Sequence, residues 1–229
     1  MSRAAQIRFL SRTAPLYDSV VRAMGFRSLW SEMVASANPA PGTLCLDACT
    51  GSAGGALGLA ARGARVVGLD LAEGMLDLAR RKARTRRLSG NVRLVRMDAG
   101  KLGFPARQFP LVTCCMALHE MAEEERARVL TELARVSCGR VLVADYDVPG
   151  SRLGRAFFQL GRAFEFLESD DFGGFLARGM PARLEEAGLE IEGAARAGSY
   201  RIWSCRAPAQ GRGAPAGTDG APWSVGATR

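Results

Sequence analysis

Apolar residues recur at helical spacing at Leu16, Val20, Val21 and Met24, directly after Thr13-Ala-Pro15. Thr13 or Ala14 suits a cap and Pro15 a first turn, so the pattern predicts a helix starting here. Gly25 interrupts it, and Leu29, Trp30, Met33 and Val34 predict a second helix. Asn38-Pro-Ala-Pro-Gly42 breaks the chain. Leu44-Cys-Leu46 is short, apolar and bounded on both sides, which is the pattern of a buried strand.

From there the pattern alternates. A glycine-rich turn leads into a small-residue helix over Ala56–Ala61, then a strand over Arg65–Asp70. A helix is expected from Leu71 to about Leu88, with Met75, Leu76, Leu78 and Ala79 on its apolar side. Strands are expected over Val92–Met97, Phe109–Met116 and Arg140–Tyr146, with a helix over Glu123–Val136. Such alternation predicts an α/β fold, a mostly parallel sheet with helices on both faces. Pro181–Ala187 reads as a further helix, and Leu189–Ala194 with Tyr200–Cys205 as a closing antiparallel pair. That makes seven strands.

Residues 1–40 are read as an N-terminal helical cap and 41–206 as the main domain. Within the main domain, before the closing pair, an insertion at about 149–180 holds Phe157, Phe158, Phe164, Phe166, Phe172 and Phe175. Residues 207–229 are rich in Gly, Ala, Pro and Thr and are expected to be a disordered tail.

A chain of 229 residues, 48% hydrophobic and 24% charged, has the composition of one soluble globular domain. It has no apolar run of transmembrane length and no signal-peptide core after Met1, so a cytoplasmic location is expected. Cys45, Cys49, Cys114, Cys115, Cys138 and Cys205 form no C-x-x-C pair, and there is one histidine, so no metal site is expected.

Chemistry begins where the first strand ends in Asp47 and runs into Ala-Cys-Thr-Gly-Ser-Ala-Gly-Gly55. A turn of small residues lets backbone N–H groups approach a ligand at a helix start. The second strand ends in Asp70, placed to accept from a ribose diol, and the third in Asp98, placed to accept from an adenine amine. Single strand-end acids are often only helix caps. Three at successive strand ends beside such a turn point to a nucleoside.

These residues resemble those of class I S-adenosylmethionine-dependent methyltransferases, most of all the ubiquinone and menaquinone C-methyltransferases. The matching segments are Ala14-Pro-Leu-Tyr-Asp18, Leu46-Asp-Ala-Cys-Thr-Gly-Ser52, Gly68-Leu-Asp70, Met75-Leu76 and Asp98-Ala99. The resemblance implies a Rossmann-like methyltransferase fold that binds S-adenosylmethionine. The cofactor residues it implies are Asp47, Leu71 and Met75; Gly51 and Ser52 for the methionine part; Asp70 for the ribose; Asp98 and Ala99 for the adenine; Cys115 for the floor; and Tyr17 as a closing group. The chain departs from the common pattern at Cys49 and Ala53, where glycines are usual, at Pro110, and at Ser137-Cys-Gly139. Those departures argue against a close orthologue of the quinone enzymes.

Ala117-Leu-His-Glu-Met121 follows the fourth strand, whose carboxyl end faces the ligand crevice in such sheets. His119 is therefore the expected base for a hydroxyl or hydroxyl-activated carbon, with Glu120 orienting it or binding a substrate donor. The Phe-rich insertion is the expected lid, and Tyr146, Phe158 and Phe172 the expected substrate contacts. The implied function is methyl transfer to a small apolar or aromatic acceptor, such as a quinol. The alternatives are an RNA methyltransferase, suggested by charge, and a silent cofactor-binding module serving a partner protein, suggested by the altered glycines.

The net charge is +8. Arg80 to Arg96 carries eight basic residues and no acid, and without those eight the chain has equal numbers of each sign. The excess is thus one local patch, expected on the side away from the chemistry, with peripheral contact to an anionic membrane or partner and no stable nucleic-acid binding.

Overall fold

The computed structural model describes residues 3–23, 26–147, 172–197 and 200–207. In chain order these form α1 (Arg3–Ala23), α2 (Phe26–Ala37), β1 (Leu44–Ala48), α3 (Gly54–Ala61), β2 (Arg65–Asp70) and α4 (Glu73–Thr85). Then come β3 (Val92–Arg96), β4 (Phe109–Cys115), a 3-10 turn at Leu118–Glu120, α5 (Glu123–Val136) and β5 (Ser137–Tyr146). After the undescribed stretch come α6 (Phe172–Arg178), α7 (Met180–Glu186), β6 (Glu190–Ala197) and β7 (Tyr200–Arg206).

The seven strands form one sheet in the order β3-β2-β1-β4-β5-β7-β6. Strands β1 to β5 pair in parallel, while β7 runs antiparallel to both β5 and β6. Successive side chains of a strand point to opposite faces. Accordingly Cys45, Val66, Leu111 and Leu142 pack in the core on the α2–α3–α4 face, while Leu46, Val67, Val112 and Val143 pack in the core on the α5–α7 face. The strand order reverses between β1 and β4, and the carboxyl ends of these two strands frame the crevice.

Helix α1 starts at Arg3, ten residues before the expected cap at Thr13. It continues through Pro15, held by one apolar side: Ala14 is buried with Ala72 and Met75, and Ile7, Leu10 and Leu78 pack against them. Pro15 has no N–H to offer the Ser11 carbonyl four residues back. That carbonyl rests on Gly74, where an added Cβ would overlap it. Helix α2 is tied to the sheet by Arg140, whose guanidinium donates to the Ser36 and Ala37 carbonyls at its C-terminus (2.8 and 3.1 Å).

Three further boundaries differ from the sequence expectation. Helix α4 is shorter at both ends than 71–88. Strand β5 starts at Ser137, since Gly139 sits so close to the Pro110 carbonyl that a Cβ would not fit. Ala207 is buried and its amide donates to the Gly139 carbonyl, so the domain includes it. The remaining tail, 208–229, and most of the expected lid, 148–171, lie outside the described residues. The end of that insertion, α6, is anchored: the Phe175 ring lies between the guanidiniums of Arg126 (4.9 Å) and Arg183 (5.3 Å).

Candidate active site

The turn after β1 is built over a buried acid. Asp47 is 3% exposed and accepts from the Thr50 and Thr113 hydroxyls, each at 2.6 Å, and from the Ala56 amide in the first turn of α3. Burial pushes its carboxyl above the ordinary range, against the pull of these donors. Asp47 therefore does not line the crevice, as the sequence reading expected. Its oxygens are taken by groups that hold the turn and the helix start in place.

Above it the backbone is left-handed at Cys49, Gly51 and Ala53 (φ 54°, 51° and 62°). This explains why glycines are usual at the first and last of these positions. Cys49 and Ala53 hold the same shape with a Cβ, at a cost of about 1 kcal/mol each. The turn brings the Gly51 amide to Asp70 at the end of β2, where it donates to Oδ2 at 2.8 Å. The Ala72 amide donates to Oδ1 at 2.9 Å. Burial raises the Asp70 carboxyl, and the backbone N–H groups only partly oppose this. The Leu71 amide is a third backbone donor to this carboxylate, whose two oxygens together offer about four acceptor positions.

Around this acid lies a crevice of about 1020 Å³, its open mouth included. Gly51, Ser52, Asp70, Leu71, Met75, Ala99 and Cys115 line it as expected. Asp98 does not: Met97 and Ala99 flank it in the lining, while its own carboxylate takes the Arg3 guanidinium and the Gly100 amide, both at 2.9 Å. Burial raises the Asp98 carboxyl, but Arg3 and the Gly100 amide outweigh that and hold it below its ordinary value. Arg3 also reaches Glu125 at 2.7 Å.

Helix α1 faces the crevice through Arg3, Ile7 and Leu10, which sequence reading did not single out. The signal was present in their spacing, hidden by the assumption that the helix began later. The side chain of Tyr17 lies outside the described set. The two thiols in the crevice, Cys49 and Cys115, are both held well above their ordinary value, Cys49 by its hydrogen bond with Cys114 and by burial, Cys115 mainly by burial. They are neutral walls and not nucleophiles. Among the described residues no cluster of metal-ligating side chains occurs.

On the β4–β5 side, Glu120 lines the crevice but His119 does not. His119 is 3% exposed, and its Nδ1 lies 2.7 Å from Asp145 Oδ1 at the end of β5. Asp145 Oδ2 also accepts from the Leu118 and His119 amides (3.0 and 3.3 Å), which pins the 3-10 turn. The other ring nitrogen, Nε2, points to Glu120 Oε1 at 3.9 Å. The histidine expected on the wall is thus under it, between two carboxylates. Tyr146 is also buried, edge-on to His119 at 4.8 Å and tilted against Tyr200 at 5.1 Å, so it is core and not lining. Phe158 and the Phe172 side chain lie outside the described set. Asp145 was missed, although it is a strand-end acid like the three that were named.

The basic segment is less remote than its position suggested. Lys82 reaches back to the glycine-rich turn, where its Nζ donates to Ser52 Oγ at 3.0 Å.

A doubly wound sheet with a small-residue turn and an acid at the next strand end defines a Rossmann-like nucleoside-binding domain. A family described as "Methyltransferase domain" matches residues 45–137. A demethylmenaquinone methyltransferase of Thermus thermophilus is 38% identical over 147 residues, 61% of this chain and 64% of that protein. A 2-phytyl-1,4-naphtoquinone methyltransferase of a Nostoc species is 31% identical over 156 residues, 65% of this chain and 67% of that protein. A solved SAM-dependent methyltransferase from Aquifex aeolicus has the same fold, with a TM-score of 0.60 and 18% identity over 78% of this chain and 89% of that one. The chain belongs to the S-adenosylmethionine-dependent methyltransferase family. It spans less than two thirds of the length of the Thermus relative.

Proposed function

We propose that the chain binds S-adenosylmethionine in the crevice and transfers its methyl group to a small apolar or aromatic acceptor of the quinol type. The observation that carries this reading is Asp70. It is a strand-end carboxylate fixed by the Gly51, Leu71 and Ala72 amides, and it lines a crevice of nucleoside size. Asp70 would hold the ribose diol, Leu71, Met97 and Ala99 would flank the adenine, and Gly51 and Ser52 would meet the methionine part. When bound, the cofactor supplies an electrophilic methyl on a sulfonium. The protein's part is alignment of donor and acceptor.

Glu120 is the ionisable group of the expected pair that reaches the crevice, so it is the group assigned to the acceptor hydroxyl. His119 is a positioning residue. Asp145 fixes its Nδ1 side, leaving Nε2 toward Glu120. The quinol-type acceptor rests on the names of the quinone-methylating relatives.

The reading is tested by titrating S-adenosylmethionine and S-adenosylhomocysteine calorimetrically, then incubating the protein with labelled cofactor and demethylmenaquinol. Saturable binding of both ligands and label in the quinol are expected. Binding without transfer to any quinol would leave the cofactor site and overturn the acceptor.

A further inference from the structure

The basic residues of α4 face two environments. Arg80 is paired on its own helix, with Glu73 at 2.7 Å and Asp77 at 2.8 Å. Lys82 and Arg86, on the next turns, instead face a groove shared with α2 and α3. Arg62, at the end of α3, completes a set of three cations along it. The groove measures about 730 Å³ with its open side included. Val34, packed on Gly58, also lines it, Ser31 adds a hydroxyl, and the Trp30 indole forms one wall.

Among the described residues no carboxylate lines this groove. Glu32, next to Ser31 in the chain, lies outside the lining. Arg62 donates to Asn38 Oδ1 at 3.2 Å, and Lys82 to Ser52 Oγ at 3.0 Å. Lys82 lies 6.0 Å from the Trp30 ring centre. Three like charges converging on a concave surface repel one another, and an anion relieves that repulsion. Arginine forks suit phosphate oxygens, and an indole wall suits the flat or apolar body that a phosphate ester carries.

We propose that the groove between α2, α3 and α4 binds a phosphate ester, held by Arg62, Lys82 and Arg86 against Trp30. The site is separate from the methyl-transfer crevice but shares its wall. Trp30 lines both spaces, and Lys82 in the groove holds Ser52 in the crevice. The phosphate is either that of a soluble ester or that of a lipid headgroup.

The test is calorimetric titration of inorganic pyrophosphate into the full chain, alongside sedimentation with phosphatidylglycerol or phosphatidylcholine vesicles. Two double variants are compared. Arg62→Gln with Arg86→Gln empties the groove of two cations. Arg81→Gln with Arg84→Gln removes the same charge from exposed positions of α4 outside it. The groove variant should lose pyrophosphate or phosphatidylglycerol binding by about tenfold or more, and the control variant by less than about twofold. Binding of pyrophosphate points to a soluble ester, and binding of phosphatidylglycerol vesicles alone to a lipid headgroup. Equal losses in both variants would mean diffuse attraction and overturn the site, as would binding of neither probe.

Discussion

Arg3, in the wall of the crevice, and Asp98, ninety-five positions away, are joined by a 2.9 Å ion pair. The acid that resemblance assigns to adenine is thus occupied by the first turn of α1. A ligand donor that reaches Asp98 Oδ1 competes there with Arg3. Replacing Arg3 with Met should therefore tighten S-adenosylmethionine binding by up to about fivefold, since an exposed pair contributes about 1 kcal/mol at most. Calorimetry checks this. Weaker binding would mean that Arg3 holds α1 closed over the ligand instead of competing with it.

The Asp70 carboxyl sits above its ordinary value because burial penalises its charge. Only the ionised form offers all its oxygens as acceptors. Cofactor affinity should therefore begin to fall, as pH is lowered, at a higher pH than an ordinary aspartate with a pKa near 3.9 would give. Asp70→Asn should bind at least about tenfold more weakly at neutral pH and lose most of this pH dependence. Affinities measured from pH 7.5 to 5 decide it. An Asp70→Asn protein that keeps full affinity would remove Asp70 from the ribose role.

Much of this was legible in the sequence, for physical reasons. A short bounded apolar run fixed β2 over Arg65–Asp70 and a period-3.6 pattern fixed α5 over Glu123–Val136 to the residue. The strand ends then located Gly51, Ser52 and Asp70. What stayed hidden depends on direction in space. Asp47 and Asp70 both end strands, yet one turns under the loop to two threonines and the other faces the crevice. His119 and Glu120 are neighbours, yet the 3-10 turn buries the first and exposes the second to the crevice. Pro15 read as a helix start because its missing N–H is harmless there. A mid-helix proline needs somewhere else to put the Ser11 carbonyl, and sequence could not reveal that Gly74 receives it.

That contact makes Gly74 sensitive. Gly74→Ala places a methyl into the Ser11 backbone, which cannot move without lifting α1. The clash should cost about 1–3 kcal/mol, against the small gain usual for Gly→Ala in a helix. Urea denaturation measures it, and a stabilised variant would show that α1 does not hold this position.

The pair beneath the crevice gives a prediction that separates positioning from structure. His119→Gln keeps a polar side chain beside Asp145 but cannot carry the imidazole charge. Glu120→Gln keeps the shape and removes the charge that reaches the crevice. If His119 acts through Glu120, both variants should lower kcat by about tenfold or more with little change in KM for the cofactor, and both should shift the acid limb of the kcat profile. A His119→Gln enzyme with reduced stability but an unchanged profile would make the dyad with Asp145 purely structural.

Glu123 ties α5 to α6 and α7, accepting from Arg183 at 2.8 and 2.9 Å and from Arg178 at 2.8 Å. Its hydrogen bonds with Arg183, opposed by some burial and aided by the Arg183 and Arg126 charges, depress its carboxyl from 4.5 to about 2. A carboxyl lowered by folding stabilises the native state above its unfolded pKa, and that contribution disappears as pH falls through the folded value. The window is therefore from about pH 4.5 down to about pH 2. Glu123→Gln should melt at a lower temperature than the parent protein at pH 7, and the gap should narrow through that window and close near its lower end. Because α6 carries Phe175 against Arg126 and Arg183, the same variant should loosen the helix that ends the Phe-rich insertion. Faster amide exchange over 172–178 at pH 7 is the accompanying sign. A gap that stays constant from pH 7 to pH 2 would mean that Glu123 acts by shape and not by charge.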